Sequence, residues 1–219
     1  MFLHLKNILT ADELAHARSL LGETAPWVNG ARSAGEQAVQ HKNNQQLAQD
    51  SDAARELQAL VLQAVQRDAL FFSAALPKRI FNPLFNRYSG ATNFYGDHVD
   101  GAILHSRATQ QWVRTDISCT LFLADPDEYE GGELTVREHE GDKRIKLPAG
   151  DAILYPGSTV HQVAPVTRGA RLASFFWVES MVRSTEQRRL LFDMDMALLQ
   201  LRASAGERDP AVVRLTGTY

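Results

Sequence analysis

Apolar positions recur at helical spacing in two stretches of the N-terminal third. Leu14, Ala17, Leu20 and Leu21 follow the capping-box sequence Thr10-Ala11-Asp12-Glu13 and predict a first helix from Ala11 to Leu21. From Ser51 to Ala75, Leu57, Leu60, Val61, Ala64, Val65 and Leu70 repeat at three and four without glycine or proline, which predicts one long amphipathic helix stopping before Pro77. Residues 22–50 between them are polar and rich in Gln and Asn, with Pro26, Gly30 and Gly35, and predict mostly loop around a short strand at Trp27-Val28. After Pro77 the period shortens. Segments Ile80 to Tyr88, Asp116 to Leu123, Glu133 to Arg137, Arg144 to Leu147, Asp151 to Tyr155, Val160 to Val163 and Arg171 to Val178 read as strands, with Gly131-Gly132, Pro148-Ala149-Gly150, Pro156-Gly157 and Arg168-Gly169 as turns. A helical period returns from Ser184 to Ala203, followed by a polar break over 204–210.

Strands in the middle and helices confined to both ends predict a mainly β fold with flanking helices, an antiparallel sandwich or barrel of jelly-roll type. The expected division is a helical and loop region packing on the barrel over 1–77, the jelly roll over 78–180, and a small C-terminal helical module over 181–219. The 219 residues, 44% hydrophobic and 22% charged, suffice for one sizeable core. A net charge of -3 lacks the broad positive field that duplex nucleic acid or an anionic membrane needs. No stretch reaches the roughly 20 apolar residues of a membrane span, and the first residues lack a basic region leading into an apolar run, so a cytoplasmic protein is expected. The single cysteine, Cys119, leaves no internal disulfide and no Cys-rich zinc site; it lies in the apolar run 117–123 and reads as a core residue.

Seven histidines are present: His4, His16, His41, His98, His105, His139 and His161. Most read as surface residues. In His98-Val99-Asp100, residues two apart on an extended segment project to one side, so an imidazole and a carboxylate could share a metal; a polar loop capped by Asp100 is the alternative. His161 opens the strand after the turn at Pro156-Gly157. Two histidines and a carboxylate form a facial set that leaves coordination positions open on ferrous iron, although zinc could use the same ligands and His161 could equally be a rim histidine. Arg171 begins an apolar strand, where a guanidinium turned inward is costly unless it meets an anion such as a dicarboxylate; a strand-edge arginine in solvent is the alternative.

The ordered set Tyr88-Ser89-Gly90-Ala91-Thr92-Asn93-Phe94-Tyr95-Gly96-Asp97-His98-Val99-Asp100, Gly131-Gly132-Glu133-Leu134, Pro156-Gly157-Ser158-Thr159-Val160-His161-Gln162-Val163 and Arg171 resembles an iron(II)- and 2-oxoglutarate-dependent dioxygenase. The closer resemblance is to the PKHD-type hydroxylases, the PiuC/YbiX group similar to the catalytic domain of prolyl 4-hydroxylases, and it covers nearly the whole chain. It implies a double-stranded β-helix with Fe(2+) on His98, Asp100 and His161, 2-oxoglutarate held by Arg171 with Tyr88, and L-ascorbate to restore reduced iron. It also implies a further short helical stretch after Tyr219, so the C-terminal module is expected to be truncated.

The expected activity is hydroxylation of a C–H bond coupled to oxidative decarboxylation of 2-oxoglutarate to succinate and CO2. The group's association with iron uptake and iron starvation makes a substrate linked to uptake conceivable, but no residue names it, and fold and metal site leave substrate choice to loops. Segment 101–114, with Trp112, Arg107 and Arg114, is expected either to line the substrate entrance or to be a plain surface connection; His105 within it is not expected to be a ligand, since the metal needs open positions. The expected partner is a small-molecule or protein substrate, with no nucleic acid and no membrane, and a homo-oligomer is left open. A non-catalytic jelly-roll sensor of iron or a small molecule is the alternative, and a zinc hydrolase a third, though it lacks an evident general base beside the ligands, Glu133 and Asp97 being placed by sequence only; Arg171 and Tyr88 favour the enzyme, because a metal holder has no need of a dicarboxylate seat.

Overall fold

The computed structural model describes residues 1–33, 38–106, 109–138 and 141–219; Gly35, Arg107 and His139, named above, lie outside the described residues. In chain order the strands are β1 (Leu3–Leu5), β2 (Trp27–Asn29), β3 (Lys42–Asn43), β4 (Gln45–Leu47), β5 (Pro77–Ile80), β6 (Leu84–Ser89), β7 (Phe94–His98) and β8 (Ile103–Ser106). They continue as β9 (Gln111–Arg114), β10 (Ile117–Phe122), β11 (Tyr129–Gly131), β12 (Leu134–Val136), β13 (Lys143–Ile145), β14 (Ala152–Pro156), β15 (His161–Val163) and β16 (Val166–Ser180). The helices are α1 (Ala11–Leu20), α2 (Asp52–Arg67), α3 (Ala69–Ala75), α4 (Thr185–Ala205) and α5 (Pro210–Thr218).

The major sheet runs β1-β14-β10-β16-β6-β4-β2, with β5 and β11 also pairing along the long β16; the minor sheet runs β13-β12-β15-β7-β3. All pairings are antiparallel, as a jelly roll requires. Alternation along the central strands assigns each residue a side. On β10, Cys119 and Leu121 face outward with Phe176 and Val178 of β16, where Leu57, Val61, Val65 and Phe71 of α2 and α3 cover them. The next residue, Phe122, faces inward and packs with Ile153 and Tyr155 against Leu134 and Val136 of the minor sheet. Cys119 is thus a buried core residue, and burial pushes its thiol well above the ordinary value.

Local chemistry explains where the elements depart from the sequence expectation. The capping box at Thr10 and Glu13 forms in both directions. The long helix divides at Asp68, whose carboxylate accepts the amide of Phe71 at 2.6 Å and so starts α3 as a new N-cap. Leu76, at φ 42°, closes α3 before Pro77. The strand expected from Ile80 to Tyr88 is interrupted before β6 at Pro83, which has no N–H for the ladder. Segment 101–114 contains a hairpin, β8 paired with β9, that joins neither large sheet. At Gly131 (φ 71°) a Cβ would lie 2.0 Å from the carbonyl oxygen of Pro165, so the bend that brings β11 back onto β16 admits only glycine.

The base of that hairpin is tied to the end of β16. Glu179, 4% exposed in its side chain, takes Lys78 at 3.2 Å, Arg79 at 3.1 Å and Arg114 at 3.1 Å, and Arg114 also forks onto Asp116 at 2.8 and 3.2 Å. Burial raises the carboxyl of Glu179, but hydrogen bonds from Arg79 and Lys78 outweigh it and leave it below the ordinary carboxylate range. A depressed folded-state value means stabilisation present above the unfolded value and lost as pH falls through the folded one. Glu179→Gln should therefore cost about 3 kcal/mol at neutral pH, the low end for a buried pair because its cations are partly exposed. That is roughly 6–12 °C in melting temperature for a chain of this size. The gap from wild type should narrow as pH drops below about 4; a melting curve equal to wild type at neutral pH would refute this role.

Candidate active site

Between the two sheets lies a cavity of about 1170 Å³. The antiparallel pairing of β15 with β7 sets His161 directly opposite His98, with ring centroids 4.2 Å apart, and Asp100 follows two residues after the end of β7. One ligand atom from each of the three lies within 4.8 Å of the others, and all three side chains are under 10% exposed. His98 Nε2 is 3.9 Å from Asp100 Oδ1, and His161 Nε2 is 3.7 Å from Asp100 Oδ2.

The surroundings fix which atoms face the centre. Nδ1 of His98 is 2.8 Å from the carbonyl of Gly96, and Nδ1 of His161 is 3.0 Å from that of Thr159. With protons on those nitrogens, both Nε2 lone pairs are left to a ligand-binding role. Burial, then the neighbouring His161, push the imidazole of His98 below its ordinary value, which favours the neutral form that binds metal. Asp100 Oδ2 accepts Ser118 Oγ at 2.7 Å and Trp177 Nε1 at 2.8 Å, leaving Oδ1 as its uncommitted oxygen. Tyr95 stacks on His98 at 3.6 Å and Tyr155 meets His161 edge-on at 5.2 Å, so both rings are clamped. Two imidazole nitrogens and one carboxylate oxygen, held this way, suit a divalent transition metal with open positions.

Arg171 lies on the inner face of β16, opposite Tyr88 of β6, and both are 1% exposed. The guanidinium carbon sits 5.4 Å from the Tyr88 ring centroid and 5.3 Å from that of Phe122. Neither its Nε nor its Nη1 makes a hydrogen bond of good geometry among the described residues, the Tyr129 hydroxyl being a polar neighbour at looser approach, and Arg171 borders the same cavity as the triad. A buried guanidinium without an anion is costly, so this wall fits a carboxylate ligand. Burial pushes the Tyr88 phenol up to about 12, against the pull of the Arg171 charge and the nearby Asn44 carboxamide, so the hydroxyl keeps its proton and can donate.

All five residues singled out in the sequence thus border one cavity. His105 borders it too but packs edge-on against Trp112 at 5.0 Å, outside the triad. Asp97 pairs with Arg137 at 3.0 Å, and neither Asp97 nor Glu133 is among the residues that line the cavity. Sequence reasoning missed Trp177 and Ser118, which hold Asp100, and Lys42, Asn44 and Gln46, buried members of a stretch that reads as polar loop. Lys42, 5.0 Å from the Tyr95 ring, is pushed down to about 8 by burial, opposed by the charge of Asp100.

A family model described as the 2OG-Fe(II) oxygenase superfamily matches residues 83–179, and one described as the PKHD-type hydroxylase C-terminal domain matches residues 186–219. A PKHD-type hydroxylase of Polaromonas sp. is 60% identical over 219 residues, covering 100% of this chain and 96% of the relative; one of Variovorax paradoxus is 57% identical over the same shares. Among solved structures, a prolyl hydroxylase from Trichoplax adhaerens, in complex with a hypoxia inducible factor oxygen degradation domain peptide fragment, has a TM-score of 0.56 at 15% identity, covering 87% of this chain and 86% of that one. A Pseudomonas putida prolyl-4-hydroxylase has a TM-score of 0.52 at 19% identity, covering 83% and 93%. These two share the fold. No helix among the described residues is long and apolar enough to cross a membrane. The full-length identity, with both family models in order and the jelly roll beneath them, makes this chain a member of the PKHD-type hydroxylases, 2-oxoglutarate-dependent enzymes of the Fe(II) oxygenase superfamily.

Proposed function

We propose that the chain hydroxylates an unactivated C–H bond, with His98, Asp100 and His161 holding Fe(II) and with Arg171 and Tyr88 seating the distal carboxylate of 2-oxoglutarate. The observation that carries this reading is the buried Arg171 fork, two of its nitrogens without a hydrogen bond of good geometry among the described residues, on the wall of the cavity that holds the triad. When bound, Fe(II) with 2-oxoglutarate and O2 supplies the oxidising power, succinate and CO2 being released as one oxygen atom enters the substrate. The chain's part is placement. The two backbone-tethered imidazoles present Nε2, Ser118 and Trp177 hold the Asp100 carboxylate in one rotamer, and the Tyr88 hydroxyl adds a donor beside the guanidinium. Paired donors on one carboxylate give orientation as well as affinity.

The substrate is a small molecule or protein acted on in the cytoplasm, apart from nucleic acid and membrane, and the family resemblance favours a link to iron uptake or iron starvation. The net charge of -3 supports the exclusion of nucleic acid. L-ascorbate serves to keep the iron reduced. Anaerobic addition of Fe(II) and 2-oxoglutarate should produce a weak visible metal-to-ligand charge-transfer band. On admission of O2 and reductant, succinate should form slowly even without substrate. Zinc should support neither. Folded, iron-loaded protein that shows no band with 2-oxoglutarate would overturn the assignment.

A further inference from the structure

Pairing of β4 with β6 sets Gln45 against Arg87 and Gln46 against Asn86, and carrying that register one residue back puts Asn44 opposite Tyr88. Tyr88 in turn is opposite Arg171. Residues opposite one another on antiparallel strands share a face, so Asn44, Tyr88 and Arg171 form a row across three adjoining strand positions on the inner side of the major sheet. Asn44 is 1% exposed, as deep as Arg171, and it lines the same cavity. Apart from a loose approach to the Tyr88 hydroxyl, neither polar atom of its carboxamide, Nδ2 or Oδ1, makes a hydrogen bond among the described residues. Buried amides are rarely left so, because an unmatched donor or acceptor out of water is costly.

The position is built for this side chain. Gly30 donates its backbone N–H to the carbonyl of Asn44 at 2.9 Å, and a Cβ on Gly30 would fall 1.9 Å from Asn44 Oδ1. Any other residue at 30 would push the carboxamide off its place. The amides nearer the mouth of the cavity, Gln49, Gln58 and Asn82, are exposed or half-buried, whereas Asn44 sits at the depth of the guanidinium.

We propose that Asn44 is a further cosubstrate-binding residue, its Nδ2 donating one hydrogen to the distal carboxylate of 2-oxoglutarate and the other to the Tyr88 oxygen, which leaves the single Tyr88 proton for the same carboxylate. The proposal rests on the reading that Arg171 seats that carboxylate. The charge of the carboxylate is already matched by one guanidinium, and a neutral carboxamide adds a directed hydrogen bond without adding charge. It also turns the phenol so that Asn44, Tyr88 and Arg171 act on one anion.

The test is calorimetric titration of 2-oxoglutarate into Fe(II)-loaded protein under anaerobic conditions. Asn44→Ala should raise the dissociation constant roughly tenfold or more, the range for losing a hydrogen bond to a charged group, with iron affinity unchanged. Gly30→Ala, which leaves Asn44 in the sequence but displaces it, should weaken binding in the same direction. The probe 2-oxobutyrate keeps the 2-oxo acid end but has no distal carboxylate, so it should bind wild type and Asn44→Ala alike, a selectivity that general damage to the cavity would not produce. Wild-type affinity for 2-oxoglutarate in Asn44→Ala, or equal weakening of both acids, overturns the proposal. Arg171→Met, run beside it, separates the two levels: unchanged binding there too would overturn the carboxylate seat itself, while loss there with no change in Asn44→Ala would overturn the role of Asn44 alone.

Discussion

Arg171→Met is expected to raise the dissociation constant for 2-oxoglutarate on the order of a hundredfold or more while leaving iron affinity near that of wild type. The substitution keeps length and apolar packing against Phe122 and Tyr88 but deletes the fork. Removing one partner of a buried, hydrogen-bonded charge pair costs about 3–5 kcal/mol, and each 1.4 kcal/mol is tenfold in affinity. Without cosubstrate the sign reverses. The wild-type guanidinium is then buried with two nitrogens lacking a hydrogen bond of good geometry among the described residues, so the methionine variant should melt at a higher temperature than wild type. Adding 2-oxoglutarate should stabilise wild type and leave the variant little changed. Anaerobic titration and paired melting curves check both halves; tight binding by the variant would place the cosubstrate elsewhere.

Replacing His98, Asp100 or His161 by Ala should lower iron affinity by more than about a hundredfold in each case, since even loss of groups that only orient a ligand typically costs 10- to 100-fold. The β-rich fold should survive. None of the three belongs to the clusters that close the core, where Leu57, Leu121, Phe122 and Val178 are fully enclosed. Equilibrium dialysis of iron, with far-ultraviolet circular dichroism as the control for folding, measures this. Retention of iron in all three variants would remove the triad as the metal centre.

Of the strands that carry the chemistry, β15 and β16 were legible from apolar runs set off by turns, whereas β7, which ends in His98, was not among the strands expected. Pro156-Gly157 ends β14, Gly131-Gly132 turns β11, and the run 117–123, too short for a helix, reads as a buried strand. Of the five site residues that border the cavity, His98, Asp100, His161 and Arg171 stood out by their order and spacing, whereas Tyr88 came from the resemblance alone. What escaped was non-local. Lys42, Asn44 and Gln46 lie among polar neighbours, and only pairing of β3 with β7 and of β4 with β6 turns them toward the cavity. Trp177 read as one more apolar strand residue, yet its indole N–H is spent on Asp100, 77 positions earlier in the chain. The hairpin β8–β9 escaped because hydrophobicity does not track burial along it: Ile103 and Trp112 are exposed, while the buried side that carries Leu104 and Val113 also carries Ser106.

That hairpin pairs with neither large sheet, and its base is held by Arg114 on Glu179 and Asp116 and by Thr115, whose hydroxyl donates to the carbonyl of Gly101 at 2.8 Å. Leu104, His105 and Ser106 nonetheless border the cavity. Because no ladder hydrogen bond among the described residues runs from the hairpin into the strands that position the triad, its length and side chains can change without shifting the histidines. A family built this way can diversify what it accepts at the cavity mouth through one ribbon, while inheritance of the oxidative chemistry stays with β7, β15 and β16.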